Sequence, residues 1–160
     1  MSNKHISESG NLHMIDVSDK KITTRVAKAS GTIILNDEAF SSVVELNNKK
    51  GDVLNTARIA GINAAKQTSN LIPLAHNISL NSVDIDFQFN NKTNEIISIA
   101  QVKSEGKTGV EIEAMIAVQI SLMTIYDMCK YLDRAMEINK IRLLSKTGGK
   151  SGTFDRGDSV

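Results

Sequence analysis

Asp127 and Lys130 stand three residues apart in a stretch, Gly109 to Leu132, that is otherwise mostly apolar and carries Glu111 and Glu113 near its start. A carboxylate and an ammonium at that spacing share one face of a helix, so they can pair with each other or with a common ligand. Around them lie Met115, Ile116, Val118, Ile120, Leu122, Met123 and Ile125. A charge turned towards such neighbours must be paired or must change its proton affinity. The chemistry open to the pair is proton transfer, and the plainer reading is an exposed ion pair on a solvent face. Glu113 and Asp127 are fourteen residues apart, which is ~21 Å along an unbroken helix. One small reacting centre cannot touch both from the same chain. Either the site takes side chains from two subunits, or Glu111 and Glu113 hold a part of the ligand remote from the chemistry.

Three basic glycine segments accompany the acids: Lys49 to Asp52, Gly106 to Gly109, and Lys146 to Gly152. Glycines let backbone N–H groups approach phosphate oxygens while lysines supply countercharge. One such loop is as well explained by a solvated turn; three in 160 residues, two of them bracketing the acidic helix, favour an anionic ligand. Neither Gly149-Lys150-Ser151 nor Gly106-Lys107-Thr108 makes a P-loop. The pattern needs an earlier glycine where this chain has Leu144 and Gln101, and too few residues follow Gly149 to build the helix it requires. His76 has no second histidine nearby, since His5 and His13 lie in the N-terminal segment. A structural role suits a lone histidine; if it acts, it acts as a proton donor or hydrogen-bonding group near pH 7.

Nineteen basic against eighteen acidic residues leave a formal charge of +1, and aromatics make up only 4% of the chain. Neither a field that attracts nucleic acid nor a base-stacking platform is present, so a nucleic-acid partner is not expected. Cys129 is the only cysteine, which excludes an intramolecular disulfide and a cysteine-built zinc site. Met1 to Leu12 is polar and no apolar run approaches the ~20 residues needed to span a bilayer. A cytoplasmic chain without a membrane partner is expected.

The elements that must position these residues are legible in outline. Thr23 to Leu35 reads as a strand; Asn36 or Asp37 then caps a short helix reaching about Asn47. Asp52 caps a second helix, in which Ala57, Ala60, Gly61, Ala64 and Ala65 make a small-residue stripe for close packing, with Pro73 at its exit. Ile78 to Phe89 alternates through Val83, Ile85, Phe87 and Phe89 as a half-buried strand, and after a turn at Asn90 to Asn94 a second strand returns from Ile96 to Glu105. The long helix follows, then a last strand from Ile138 to Leu144 and a glycine-rich, polar segment from Ser145 to Asp158, expected to be mobile or ordered by ligand. The order β-α-α-β-β-α-β predicts an α+β fold: a ferredoxin-like (βαββαβ) antiparallel sheet with one additional helix. A flexible segment 1–13, a single domain 14–152 and a flexible tail 153–160 are expected. A sheet with helices on one side leaves its other face for water or a partner, which points to a homo-oligomer.

Lys50 to Val53 with Thr56 to Gly61, Leu71 to His76, Gly106 to Glu113, Thr124 to Lys130 and Lys146 to Gly152 together resemble the family of cyclic pyranopterin monophosphate synthase, that of molybdenum cofactor biosynthesis protein C. The match runs in order from about Met14 to Gly152. The resemblance implies a lyase that converts (8S)-3′,8-cyclo-7,8-dihydroguanosine 5′-triphosphate to cyclic pyranopterin monophosphate and diphosphate in molybdopterin synthesis. It also implies a hexamer, a trimer of dimers with sites at subunit interfaces. Carried over by position, Asp127 is the catalytic aspartate and Lys130 its partner. Leu74, Ala75, His76, Ile112 and Glu113 fall on substrate-binding segments, with Arg25, Lys50, Glu111 and Lys146 completing the pocket. Opening a purine-derived ring and expelling diphosphate needs proton shuttling, which suits Asp127 and Lys130, and triphosphate neutralisation, which suits Arg25, Lys50 and Lys146. Glu111 or Glu113 would hydrogen-bond the guanidine-like edge of the base. No metal site and no cofactor is assigned. The chain has Ala75-His76-Asn77 where members often carry Cys-His-Pro, and Ile112 where methionine is common, so no thiol is needed at position 75. The competing reading is a non-catalytic nucleotide-binding sensor domain, because fold does not fix function.

Overall fold

The computed structural model describes residues 5–7, 9–150 and 152–157. Part of each expected flexible end (1–4, 8 and 158–160) and Ser151 of the last glycine segment lie outside the described residues. The elements are β1 (Thr23–Ile34), α1 (Asp37–Val44), α2 (Val53–Lys66), α3 (Thr68–Leu71), β2 (Leu80–Asn90), β3 (Glu95–Gly106), α4 (Glu111–Cys129), β4 (Glu137–Thr147) and β5 (Phe154–Asp155). They form one sheet in the order β2-β3-β1-β4-β5, every neighbouring pair antiparallel. Without β5 and the extra helices this is the ferredoxin-like arrangement that the element order predicts.

Local chemistry explains most of the boundaries. The Asn36 side chain accepts a hydrogen bond from the Ala39 amide and the Asp52 carboxylate accepts one from the Asn55 amide, so both predicted caps start their helices. Period-two alternation puts Ile85 of β2, Ile96, Ala100 and Val102 of β3, and Ala27, Ala29 and Ile33 of β1 into the core under the helices. Helix α4 lies across that face. Its Ala114, Ala117, Val118, Leu122 and Ile125 are all 0% exposed, each larger side chain contributing roughly 1.5–3 kcal/mol by burial. Although α4 has the length and a mean hydropathy of 1.4 that would suit a membrane span, its packing against β1, β3, β4 and α2 makes it the core helix.

α2 packs closely on α4, and Gly61 permits the approach. A Cβ there would stand 2.2 Å from Ser121 Oγ and 2.7 Å from the Ala117 carbonyl oxygen. Three boundaries differ from the sequence reading. α2 ends at Lys66 and a single-turn α3 precedes Pro73. α4 ends at Cys129 because the amides of Leu132 and Asp133 both turn back onto the Cys129 carbonyl, at 2.8 and 3.1 Å. The last strand continues past Leu144 to Thr147, since Lys146 and Thr147 pair with Ala27 and Val26 of β1. Phe154 and Asp155 then close on it as β5.

Candidate functional site

Both ends of α4 carry side chains expected to form the site. At its C-terminal end the ammonium of Lys130, the residue that caps the helix, lies 2.7 Å from Asp127 Oδ1. Lys50, arriving from the loop before α2, donates to the Asp127 carbonyl at 2.8 Å and sits 3.7 Å from its Oδ2. The hydrogen bond and charge of Lys130 hold the Asp127 carboxyl below the usual carboxylate range, and Asp127 in turn raises the affinity of Lys130 for its proton. The group is open to solvent, with Asp127 and Lys130 side chains 60% and 52% exposed. Beneath it, burial pushes the Cys129 thiol up to about 11, which leaves it unreactive.

At the other end, Gly106 to Gly109 brings the chain from β3 into α4 beside the loop that carries Leu74, Ala75 and His76. These residues line a cavity of about 320 Å³ together with Ile112 and Glu113 of the first helical turn. Glu113 is 4% exposed, and burial raises its carboxyl above the ordinary value. His76 Nε2 donates to the Ile15 carbonyl oxygen at 2.8 Å. That bond fixes one ring proton on Nε2 and directs Nδ1 to any further partner.

A second cavity, of about 440 Å³, adjoins the first and is lined by Lys20, Arg25, Lys107, Lys146 and Lys150 with Glu111. Arg25 is held by the carbonyls of Gly106 and Lys107, and Lys146 pairs with Glu111 at 2.8 Å. Five cations round one hollow give it the charge to suit a polyanion. Gly149 folds over the Arg25 guanidinium at φ +80°, where a Cβ would collide with Arg25 Nη1. The positive φ favours glycine where β4 passes into its loop.

The structure therefore gathers Leu74, Ala75, His76, Ile112, Glu113, Glu111, Arg25 and Lys146 at one end of α4, and Asp127, Lys130 and Lys50 at the other. It separates Lys50 from Arg25 and Lys146, with which the sequence reading had grouped it for charge neutralisation. Sequence reasoning missed Lys20 and the packing of the N-terminal segment. Ile15 and Val17 line the first cavity, Lys20 borders both, and Lys107 Nζ donates to the Ser18 carbonyl at 2.6 Å. A lysine next to the strand that carries Arg25 was the one available signal. No group of three or more metal-binding side chains occurs among the described residues.

A small ferredoxin-like fold bearing a paired acid and base, a hollow ringed by cations and an adjoining cavity suits an enzyme working on a phosphorylated small molecule. Residues 14–149 match the MoaC family model, and the chain belongs to that family. It is 51% identical over 156 residues to a cyclic pyranopterin monophosphate synthase of Clostridium botulinum, covering 96% of this chain and 98% of the relative. Namesakes from Staphylococcus carnosus, at 49% identity with 95% of both chains covered, and Helicobacter pylori, at 48% with 94% and 96% covered, agree with it. The expected family, and with it an enzyme of the cyclic pyranopterin monophosphate synthase type, is borne out.

Proposed function

We propose that this chain converts the 3′,8-cyclised dihydro-GTP to cyclic pyranopterin monophosphate and diphosphate in the cytoplasm. The observation that carries the reading is the Lys130–Asp127 contact of 2.7 Å, in a chain half identical to a synthase over nearly its whole length. Lys130 gives and recovers protons, while Asp127 keeps it charged and oriented; Lys50 steadies the aspartate. Arg25 and Lys146 take the triphosphate. Leu74, Ala75, His76, Ile112 and Glu113 receive the base, whose N–H edge suits a buried carboxyl. Residues 14–152 form the catalytic domain.

The two halves of this machinery lie ~21 Å apart along α4, so each complete site takes one half from each of two copies, and the assembly is a hexamer built as a trimer of dimers. Purified protein given the cyclised substrate should release diphosphate and form the pterin, and both Asp127→Ala and Lys130→Ala should lower turnover ~100-fold or more. Tight binding by the parent without turnover would sink the catalytic reading and leave a nucleotide sensor.

A further inference from the structure

We propose that Asn48 is a positioning residue for the Asp127–Lys130 pair, its buried amide fixing the turn from which Lys50 reaches Asp127. The inference rests on the catalytic reading above and adds to it a residue that acts through another. Three consecutive residues are stitched to the end of α4. The Asn48 side chain donates to Cys129 Sγ at 3.6 Å, the Lys49 amide donates to the Tyr131 hydroxyl at 3.3 Å, and the Lys50 ammonium donates to the Asp127 carbonyl at 2.8 Å. The Lys49 ammonium also stands over the Tyr131 ring, 3.7 Å from its centre. Lys49 and Lys50 make their contacts near the surface, where water competes for both partners. Asn48 makes its own in the interior, at 6% exposure.

Both donors and the acceptor of that amide are used. Oδ1 accepts from the Lys50 amide at 2.9 Å, and Nδ2 donates to Ser42 Oγ at 3.2 Å as well as to Cys129 Sγ. Ser42 Oγ gives its own proton to the Ala39 carbonyl at 2.8 Å, so towards Asn48 it accepts. The amide therefore has one satisfied orientation. Turned over, it would set Nδ2 against the Lys50 N–H and Oδ1 against an oxygen whose proton is already engaged. Burial keeps Cys129 a neutral thiol, so this anchor brings no charge beneath Asp127. The Asn48 carbonyl accepts from the Gly51 amide at 2.9 Å, and Gly51, at φ +96°, turns the chain into Asp52, the cap of α2. Lys50 thus leaves from a backbone held on both sides, and its ammonium stands 3.7 Å from Asp127 Oδ2. A lysine on a loose turn would lose backbone as well as side-chain freedom on pairing. Here folding has already fixed the backbone.

The test is made in the full-length chain. Asn48→Ala should lower kcat about tenfold or more, as a small displacement at a reacting group does, and leave KM within about twofold of the parent. Added to Lys50→Ala, the same substitution should lower kcat no further, because the two residues act in series. Independently of turnover, brief labelling with acetic anhydride, read by peptide mass spectrometry, should modify Lys50 several-fold faster in Asn48→Ala than in the parent and change Lys130 less. Ser42→Ala removes one anchor and leaves Lys50 itself intact. It should move kcat and Lys50 labelling the same way by less, and it stands in if Asn48→Ala does not fold. A loss of thermal stability alone, with kcat and Lys50 labelling as in the parent, would overturn the inference. So would a further fall in kcat when Asn48→Ala joins Lys50→Ala. A parent that never turns over would refute the catalytic reading; faster Lys50 labelling would then leave the placement of Lys50 by Asn48 standing, and unchanged labelling would remove that too.

Discussion

The two ends of α4 carry the same kind of side chain in opposite surroundings. At the first turn Glu113 is buried and holds its proton more tightly than usual; at the last turn Asp127 is exposed between two lysines and releases it more easily. Environment, not residue type, assigns the roles. The buried end suits recognition, where a carboxyl must meet the donors of a base without water competing. At the exposed end Asp127 holds Lys130 charged, and both are open to solvent.

That contrast breaks most visibly in mixed assemblies. Asp127→Ala and Glu113→Ala chains should each be inactive. Co-expressed, they should regain about a quarter of parental turnover, since random pairing gives one site in four both native halves. No regain would return both halves to one chain. Next in size, Lys130→Ala should lower kcat ~100-fold or more with little change in KM. Lys146→Ala should instead raise KM by roughly tenfold or more and spare kcat, as expected when a charged hydrogen-bonding group is lost from ground-state binding.

Gly61→Ala tests the close packing of α2 on the middle of α4. Alanine favours a helix over glycine by up to ~1 kcal/mol, but its Cβ would meet the Ala117 carbonyl at 2.7 Å, and overpacking costs typically 1–3 kcal/mol. A net loss of about 1 kcal/mol or more in denaturant unfolding is expected. The smallest effect follows pH. A carboxyl with a raised proton affinity binds more protons folded than unfolded, so its contribution to stability falls as pH rises through the carboxylate range. Glu113→Gln should therefore raise Tm above that of the parent at pH 7, and the gain should vanish below that range. The linkage at Asp127 has the opposite sign: whatever stability its lysines confer is present at pH 7 and lost as pH falls through its lowered range.

The sheet was readable because its signals are local. Asn36 and Asp52 cap where their side chains reach the next turn, and Val83 to Phe89 alternates because one face is buried. What escaped depends on partners far along the chain. Nothing local distinguishes Ser145 to Thr147 from the glycine loop that follows; only pairing with β1 makes them strand. The contacts of Ile15 with His76 and of Ser18 with Lys107 join residues 61 and 89 positions apart. The candidate site was legible in composition and divided in space. Within one chain Lys50, expected with Arg25 and Lys146 to meet the triphosphate, stands beside Asp127.

Helix α4 carries both halves of the proposed machinery on one uninterrupted rod, which makes it a ruler. Each added residue lengthens it by ~1.5 Å and swings everything downstream through ~100°. Substitutions along it can be judged one by one, but a single insertion or deletion between Glu113 and Asp127 would re-aim every later side chain together. In this stretch it is the count of residues that descent must preserve.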